Sequence, residues 1–273
     1  MGDDAGADAV VTATAANTHP GTERTDVFGV PCFRGTLAEA AAVVVQLARV
    51  GRGGYVCLCN VHVLETAHRD PRVSKALDGA RVVFPDGAPI AWVQRFLARA
   101  PAHRVGGPDL MTHVLREGCA VGLEHAFYGS TEEVLARLRD TIGSRFPHAR
   151  IATTIAPPFG PRSAAEIELD LEALRAARPD VVWVALGAPR QELWAARHAE
   201  SLAPALVIGV GAAFDFLAGT KPRAPRFMQR VGLEWLHRLA TEPRRLGVRY
   251  VTTNSRFLAR AGLAVARRPA RWR

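Results

Sequence analysis

The sequence predicts an α/β fold: an open parallel sheet with helices on both faces, followed by a basic helical appendage. Three observations carry that expectation. From Val27 onward short β-rich apolar runs alternate with longer stretches of helical periodicity, the pattern of a parallel sheet flanked by helices. With 273 residues, 48% hydrophobic and 22% charged, the chain can bury enough apolar surface to offset its ordering entropy within one principal domain. The net charge of +9 is unevenly placed. Residues 1–25 carry Asp3, Asp4, Asp8 and Glu23 against Arg24, whereas residues 221–273 carry Lys221 and thirteen arginines against Glu234 and Glu242. The body between them is neutral by difference, so the basic character belongs to the C-terminal end.

Residues 1–25, rich in Ala, Thr, Asp and Gly without apolar periodicity, are expected to form a disordered leader. The domain proper is placed at 26–220 and the appendage at 221–273. A helical pattern at 36–50 leads into the apolar run Tyr55–Cys59, and a second at 62–77 leads into Arg81–Phe84. Helices at 88–98 and 108–118 precede the strand His125–Tyr128, and a helix at 131–145 precedes Arg150–Thr154. The turn Pro157-Pro158-Phe159-Gly160-Pro161 separates that strand from a helix at 164–177. The strand Val181–Leu186, a helix at 190–200 and the strand Ala205–Gly209 complete a Rossmann-like sheet. Beyond the Gly219 to Pro225 break, helices are expected at 225–240 and 243–262.

The four cysteines, at 32, 57, 59 and 119, show no paired CxxC spacing. Cys57 and Cys59 alternate within an apolar strand and read as buried small hydrophobes in a reducing compartment. No metal site is expected, because no second cysteine pair completes a tetrahedron with His62. The longest apolar stretch, Ala203 to Ala213, is too short to span a bilayer. A soluble or peripheral protein is the expectation.

Open parallel sheets bind ligands at the carboxyl ends of their strands. Asn60 follows Tyr55–Cys59; Asp86 and Gly87 follow Val83-Phe84-Pro85; Gly129 and Ser130 follow Phe127-Tyr128. Gly187, Pro189, Arg190 and Gln191 follow Val184-Ala185-Leu186, and Gly209, Gly211, Phe214 and Asp215 follow Leu206-Val207-Ile208. Glycines there let backbone amides approach phosphates, and the helix starts that come next offer partial positive charge to a diphosphate. Gly209-Val210-Gly211 resembles part of a dinucleotide fingerprint, but Phe214 stands where its third glycine would fall. A nicotinamide site is therefore excluded.

These residues, in this order, resemble the WecG/TagA/CpsF glycosyltransferase family. The recognisable pieces are Asn60-Val61-His62, Phe84-Pro85-Asp86-Gly87-Ala88-Pro89, Arg104 through Leu110, Phe127-Tyr128-Gly129, Gly187 through Glu192, Gly209 through Phe216, and Ala224-Pro225 through Leu239. Together they span about Val27 to Arg260. The resemblance implies an inverting, metal-independent transfer from a UDP-sugar, often UDP-N-acetylmannosamine or a related sugar, onto an undecaprenyl-diphosphate-linked acceptor. It also implies an appendage that meets the anionic membrane surface on the cytoplasmic side. Relatives serve teichoic-acid linkage units, enterobacterial common antigen, and capsular or exopolysaccharide repeats. No cofactor is expected, and oligomerisation into a homo-oligomer stays open.

Inverting transfer needs a base for the acceptor hydroxyl and stabilisation of the departing diphosphate. Asp86 is the expected base, at the position where the family resemblance puts the catalytic aspartate; a helix N-cap or Asx turn is the alternative. Asn60 is expected in the active site, as a partner for a sugar hydroxyl or as a loop anchor. Many relatives carry Thr two residues before this Asn, where this chain has Leu58. His62 is a substrate contact or a local hydrogen-bond partner. Arg104 and Asp109 flank a glycine turn, so Arg104 faces phosphate or the two form a structural ion pair. Gln191, beside Arg190, offers amide donors to a nucleotide or its phosphates. Gly129, Gly187 and Gly211 are expected to line the substrate, with Asp215 a structural or sugar-contacting group.

In the tail, Trp235, Leu236 and Leu239 recur at helical spacing, while Arg238, Arg245 and Arg249 return to one face. Such a helix can meet lipid headgroups or a lipid diphosphate. The basic tail also raises a nucleic-acid binder, but it carries no readable recognition motif and would leave the strand-end residues unexplained, so no nucleic-acid partner is expected. A non-catalytic scaffold of a polysaccharide assembly complex would keep the fold and lose the base. Asp86 argues against it, while Leu58 keeps it in view.

Overall fold

The computed structural model describes residues 23–225, 227, 228, 232–241 and 243–266. Its centre is an eight-stranded sheet: β1 (Arg24–Val27), β2 (Val30–Phe33), β3 (Gly54–Cys59), β4 (Val82–Pro85), β5 (Glu124–Gly129), β6 (Arg150–Ile155), β7 (Val181–Ala185) and β8 (Leu206–Gly209). The order across the sheet is β1-β2-β4-β3-β8-β7-β5-β6. Only β1 and β2 pair antiparallel; every other pairing is parallel. The helices are α1 (Leu37–Val50), α2 (Val61–Ala67), α3 (Pro71–Asp78), α4 (Ala88–Ala98), α5 (Gly107–Cys119), α6 (Glu132–Arg145), α7 (Ala164–Ala177), α8 (Arg190–His198), α9 (Ala213–Leu217), α10 (Glu234–Thr241) and α11 (Pro243–Ala266).

Strand alternation divides the core in two. Val56 and Leu58 of β3 join the cluster beneath α1, α5 and α6, whereas Tyr55, Cys57 and Cys59 join the cluster beneath α2 and α8. Cys57 and Cys59 are therefore buried, and burial together with neighbouring groups pushes both thiols well above their ordinary range. For Cys57 desolvation is the main cause; for Cys59 a hydrogen bond with Cys32 leads and desolvation follows.

The structure departs from the expected elements in four places. Arg24 and Thr25 pair with Phe33 and Cys32, so the sheet reaches into the stretch read as a leader; residues 1–22 lie outside the described residues. The hairpin itself was not among the expected strands. Phe28 and Gly29 both have positive φ (53° and 89°), the geometry of a two-residue hairpin turn, and Gly29 N–H donates to Asp26 Oδ1 at 2.8 Å. The helix expected over 62–77 is two helices. Asp70 caps the second by accepting from Arg72 N–H at 2.9 Å, and Pro71 at its first position has no N–H to continue the first. The short helix α9 was also unexpected.

The appendage rests on the body. Helix α11 packs across α2, with Phe257 buried edge-on against Phe28 at 5.9 Å between ring centroids. Arg260 Nε reaches Glu65 Oε1 at 3.3 Å, and that carboxylate is only 2% exposed. No helix among the described residues is long and apolar enough to cross a membrane.

Candidate active site

The carboxyl ends of β3, β4, β7 and β8 open into a cleft of about 750 Å³. Parallel pairing sets all four ends on one edge, so residues far apart in sequence converge there. Of the expected site residues, Asn60, His62, Asp86, Arg104, Gly187, Gln191, Gly211 and Asp215 line this cleft. A second groove of about 430 Å³, between α1 and α5, touches none of the strand ends.

Asp86 sits one residue past β4, where its N–H donates to the Cys59 carbonyl at 2.9 Å. Gly87, not Asp86, is the N-cap of α4, and its φ of +99° is one an L side chain rarely adopts. Asp86 therefore stands one residue before that N-cap and lines the cleft. Asn60 joins two tasks: its Oδ1 caps α2 by accepting Val63 N–H at 3.1 Å, and its Nδ2 lies 3.5 Å from Asp86 Oδ2. Leu58, 3% exposed, lines the cleft beneath them and offers no hydroxyl. Its methyl group and the Val210 carbonyl crowd Gly107, where a Cβ would lie within 3.2 Å and 2.9 Å of them.

The cationic side of the cleft is an ionic network. Arg104 Nη2 pairs with Asp109 at 3.1 Å, and Arg104 Nη1 pairs with Glu234 of α10. Arg223 grips Asp109 with two hydrogen bonds of 2.7 and 2.6 Å. Burial alone would raise the Asp109 pKa, but Arg223 and Arg104 outweigh it and hold the carboxyl below its usual range. Burial likewise opposes the Arg104 charge, and Glu234, Asp86 and Asp109 reverse that, so its pKa rises. Lys221 stands 3.7 Å from Asp215. Arg104 thus forms the structural ion pair with Asp109 and also lines the cleft.

Other expected residues fall elsewhere. Asp109 stands outside the cleft lining and pairs with two residues that belong to it. Arg190 is exposed at the start of α8, outside the lining. Gly129 is also outside it; a Cβ there would meet the Ala185 backbone at 2.6 Å, so close strand packing requires the glycine. For Arg238, Arg245 and Arg249 only the helical backbone is described, and their side chains lie outside the described residues. The apolar stripe divides: Trp235 lines the cleft, whereas Leu236 is 42% exposed.

The sequence reading missed Arg223 and Glu234 as site residues, and it missed the apolar outer wall formed by Trp92, Phe159, Phe257 and Leu258. Glu234 stands in one of the recognised segments, and Arg223 in the break where the appendage begins, so both were within view. Among the described residues, no three His, Cys, Asp or Glu side chains come together as metal ligands.

A strand-end cleft with a carboxylate, an amide partner, helix starts and cations is equipped to deprotonate one group while holding a charged leaving group. A model of the glycosyl transferase WecG/TagA/CpsF family matches residues 25–271. The chain belongs to this family. As a glycosyltransferase it is similar to two curated proteins named N-acetylglucosaminyldiphosphoundecaprenol N-acetyl-beta-D-mannosaminyltransferase. The one from Bacillus spizizenii is 29% identical over 194 residues, covering 71% of this chain and 74% of the relative. The one from Bacillus subtilis is 27% identical over 191 residues, covering 70% and 73%. The glycosyltransferase matches its family from within β1 to beyond α11, so body and appendage are both family features.

Proposed function

We propose that this glycosyltransferase moves an N-acetylmannosamine-type sugar from its UDP donor, with inversion, onto a polyprenyl-diphosphate-linked N-acetylglucosamine acceptor. It works at the cytoplasmic face of the membrane, in teichoic-acid or other surface-polysaccharide assembly. The observation that carries the reading is the Asp86 carboxylate, held beside Asn60 in a cleft ringed by helix starts and by Arg104, Lys221 and Arg223.

The acceptor hydroxyl oxygen bonds to the anomeric carbon as that carbon's bond to the donor diphosphate breaks. The breaking bond's electron pair leaves with UDP, and the hydroxyl proton passes to Asp86. The starts of α4, α5 and α8, with the cations, stabilise the departing charge. No step is routed through a metal ion. The apolar wall of Trp92, Trp235, Phe257 and Leu258 suits an isoprenoid chain, and the basic appendage suits its diphosphate.

Purified protein is incubated with a panel of UDP-sugars and a short-chain polyprenyl-diphosphate N-acetylglucosamine, and the product mass is measured. A gain of one N-acetylhexosamine supports the reading; no product from any donor overturns it. Asp86→Asn keeps the shape and removes the proton acceptor, so kcat falls by about 100-fold or more while UDP binding persists. Turnover close to wild type would remove Asp86 from the role of base.

A further inference from the structure

Gln191 and Glu192 open the first turn of α8, and both are buried, at 4% and 1% exposure. A surface helix ordinarily places such residues in water. Here they form a relay at the edge of the cleft. Gly211 N–H donates to Gln191 Oε1 at 2.9 Å, and Gln191 Nε2 donates to Glu192 Oε1 at 3.0 Å. A backbone N–H can only donate, so the amide oxygen must face Gly211, and its nitrogen must face Glu192. Gly209 seats the same side chain: a Cβ there would lie 3.1 to 3.2 Å from Gln191 Cγ, Cδ and Nε2. Gln191 is thus clamped from both ends and along its length, with one Nε2 proton left over. It lines the cleft beside Gly211, and Glu192 does not.

The second oxygen of Glu192, Oε2, is buried and has no hydrogen-bond partner among the described residues. An ionised carboxylate left so would be costly. Burial pushes the group up to about 7, against the lowering effect of its hydrogen bonds, and the charge of Asp86 pushes it in the same direction. The Glu192 charge in turn helps to push up the buried thiols of Cys57 and Cys59, which stay neutral. In its protonated form the acid accepts the Gln191 hydrogen bond through its carbonyl oxygen without adding negative charge beside a site for an anionic donor.

We propose that Glu192 is a positioning residue of the donor site, a buried acid that fixes the Gln191 amide so that its remaining N–H meets the donor diphosphate. The inference rests on the UDP-sugar reading given above. Glu192 touches neither substrate nor reacting atoms; it acts through Gln191. The contact it secures is one hydrogen bond to a charged group, worth about a tenfold change in donor affinity.

The test compares Glu192→Met, which keeps volume and burial but removes the acceptor, with Glu192→Gln, which keeps a carbonyl acceptor. UDP binding by calorimetry and the donor and acceptor KM are measured, each also in a Gln191→Ala background. Glu192→Met should weaken UDP binding and raise donor KM about tenfold with acceptor KM unchanged, Glu192→Gln should recover most of that loss, and neither should matter once Gln191 is Ala. Donor affinity unchanged in folded Glu192→Met, or effects that persist undiminished in the Gln191→Ala background, would overturn the proposal. Wild-type protein that binds no UDP would instead overturn the donor reading itself, an outcome visible before any variant is made.

Discussion

Two buried titratable groups pull the stability of this fold in opposite directions with pH, and replacing one exposes the other. Glu192 is raised from its ordinary 4.5 to about 7, chiefly by desolvation. A raised carboxyl binds its proton more tightly in the folded chain, so its contribution is fully present below 4.5 and is lost as pH rises through 7. His125 is lowered from 6.5 to about 4, again by desolvation; its Nδ1 accepts Trp183 Nε1–H at 3.2 Å within the core. Its contribution is present above 6.5 and is lost as pH falls through 4. Each displacement corresponds to roughly 3 kcal/mol, at about 1.4 kcal/mol per pH unit. Between pH 4.5 and 6.5 the two slopes cancel. Glu192→Gln removes one of them, so the variant's stability relative to wild type should grow by roughly 3 kcal/mol from pH 4.5 to pH 8. Urea unfolding followed by tryptophan fluorescence, at half-unit steps across that range, measures it. Parallel stability curves for variant and wild type would refute the assignment of a buried Glu192 with a raised pKa.

Transfer should survive EDTA, because helix starts and cations can carry the diphosphate charge in the proposed reaction; complete loss restored by Mg²⁺ or Mn²⁺ would sink that expectation. Arg223→Ala should cost about 1 kcal/mol, less than a fully buried charged hydrogen-bond pair because both partners are partly exposed. A double-mutant cycle with Asp109→Ala reads the coupling directly, and a value near zero would make the contact a passive surface pair. Replacing Arg238, Arg245 and Arg249 together with Ala should weaken sedimentation with anionic liposomes, most visibly at low salt, and raise acceptor KM without changing UDP binding. Equal liposome binding and equal acceptor use would leave the tail an ordinary solvated face.

Strands β3 to β8 were legible because each is a short β-rich run closed within two residues by Gly, Pro or Asn, and a parallel sheet then dictates that their carboxyl ends share an edge. Strand β1 was not, since Arg24-Thr25-Asp26 is a polar, mostly exposed edge strand whose pairing only β2 reveals. The same logic explains the site. Asn60, Asp86, Gln191 and Gly211 could be named from their places after strands. Gly129 reads identically in sequence, yet it answers to the Ala185 backbone; a glycine pattern cannot tell a close approach by a ligand from one by a neighbouring strand. Arg104 and Asp109 were ambiguous for a further reason. Their partners Glu234 and Arg223 lie 130 and 114 residues away, beyond any local spacing rule.

Those long-range pairs also bear on why the appendage is so basic. Glu234 is one of only two acids in residues 221–273, and it is used to hold Arg104 of the body. Lys221, Arg223 and Arg260 reach back to Asp215, Asp109 and Glu65. Among the described residues, docking thus engages three cations and one anion of the appendage. An appendage needed only to close the cleft could stop there, with an overall charge close to that of the neutral body. The appendage carries thirteen arginines, more than the cations paired with the body among the described residues. In the proposed function the rest serve a polyanionic surface, because the attraction of basic residues to an anionic membrane scales with their number. In the proposed function the appendage's work is thus divided: a few pairs set its place over the cleft, and the remaining charge is suited to bringing that cleft to a lipid-borne acceptor.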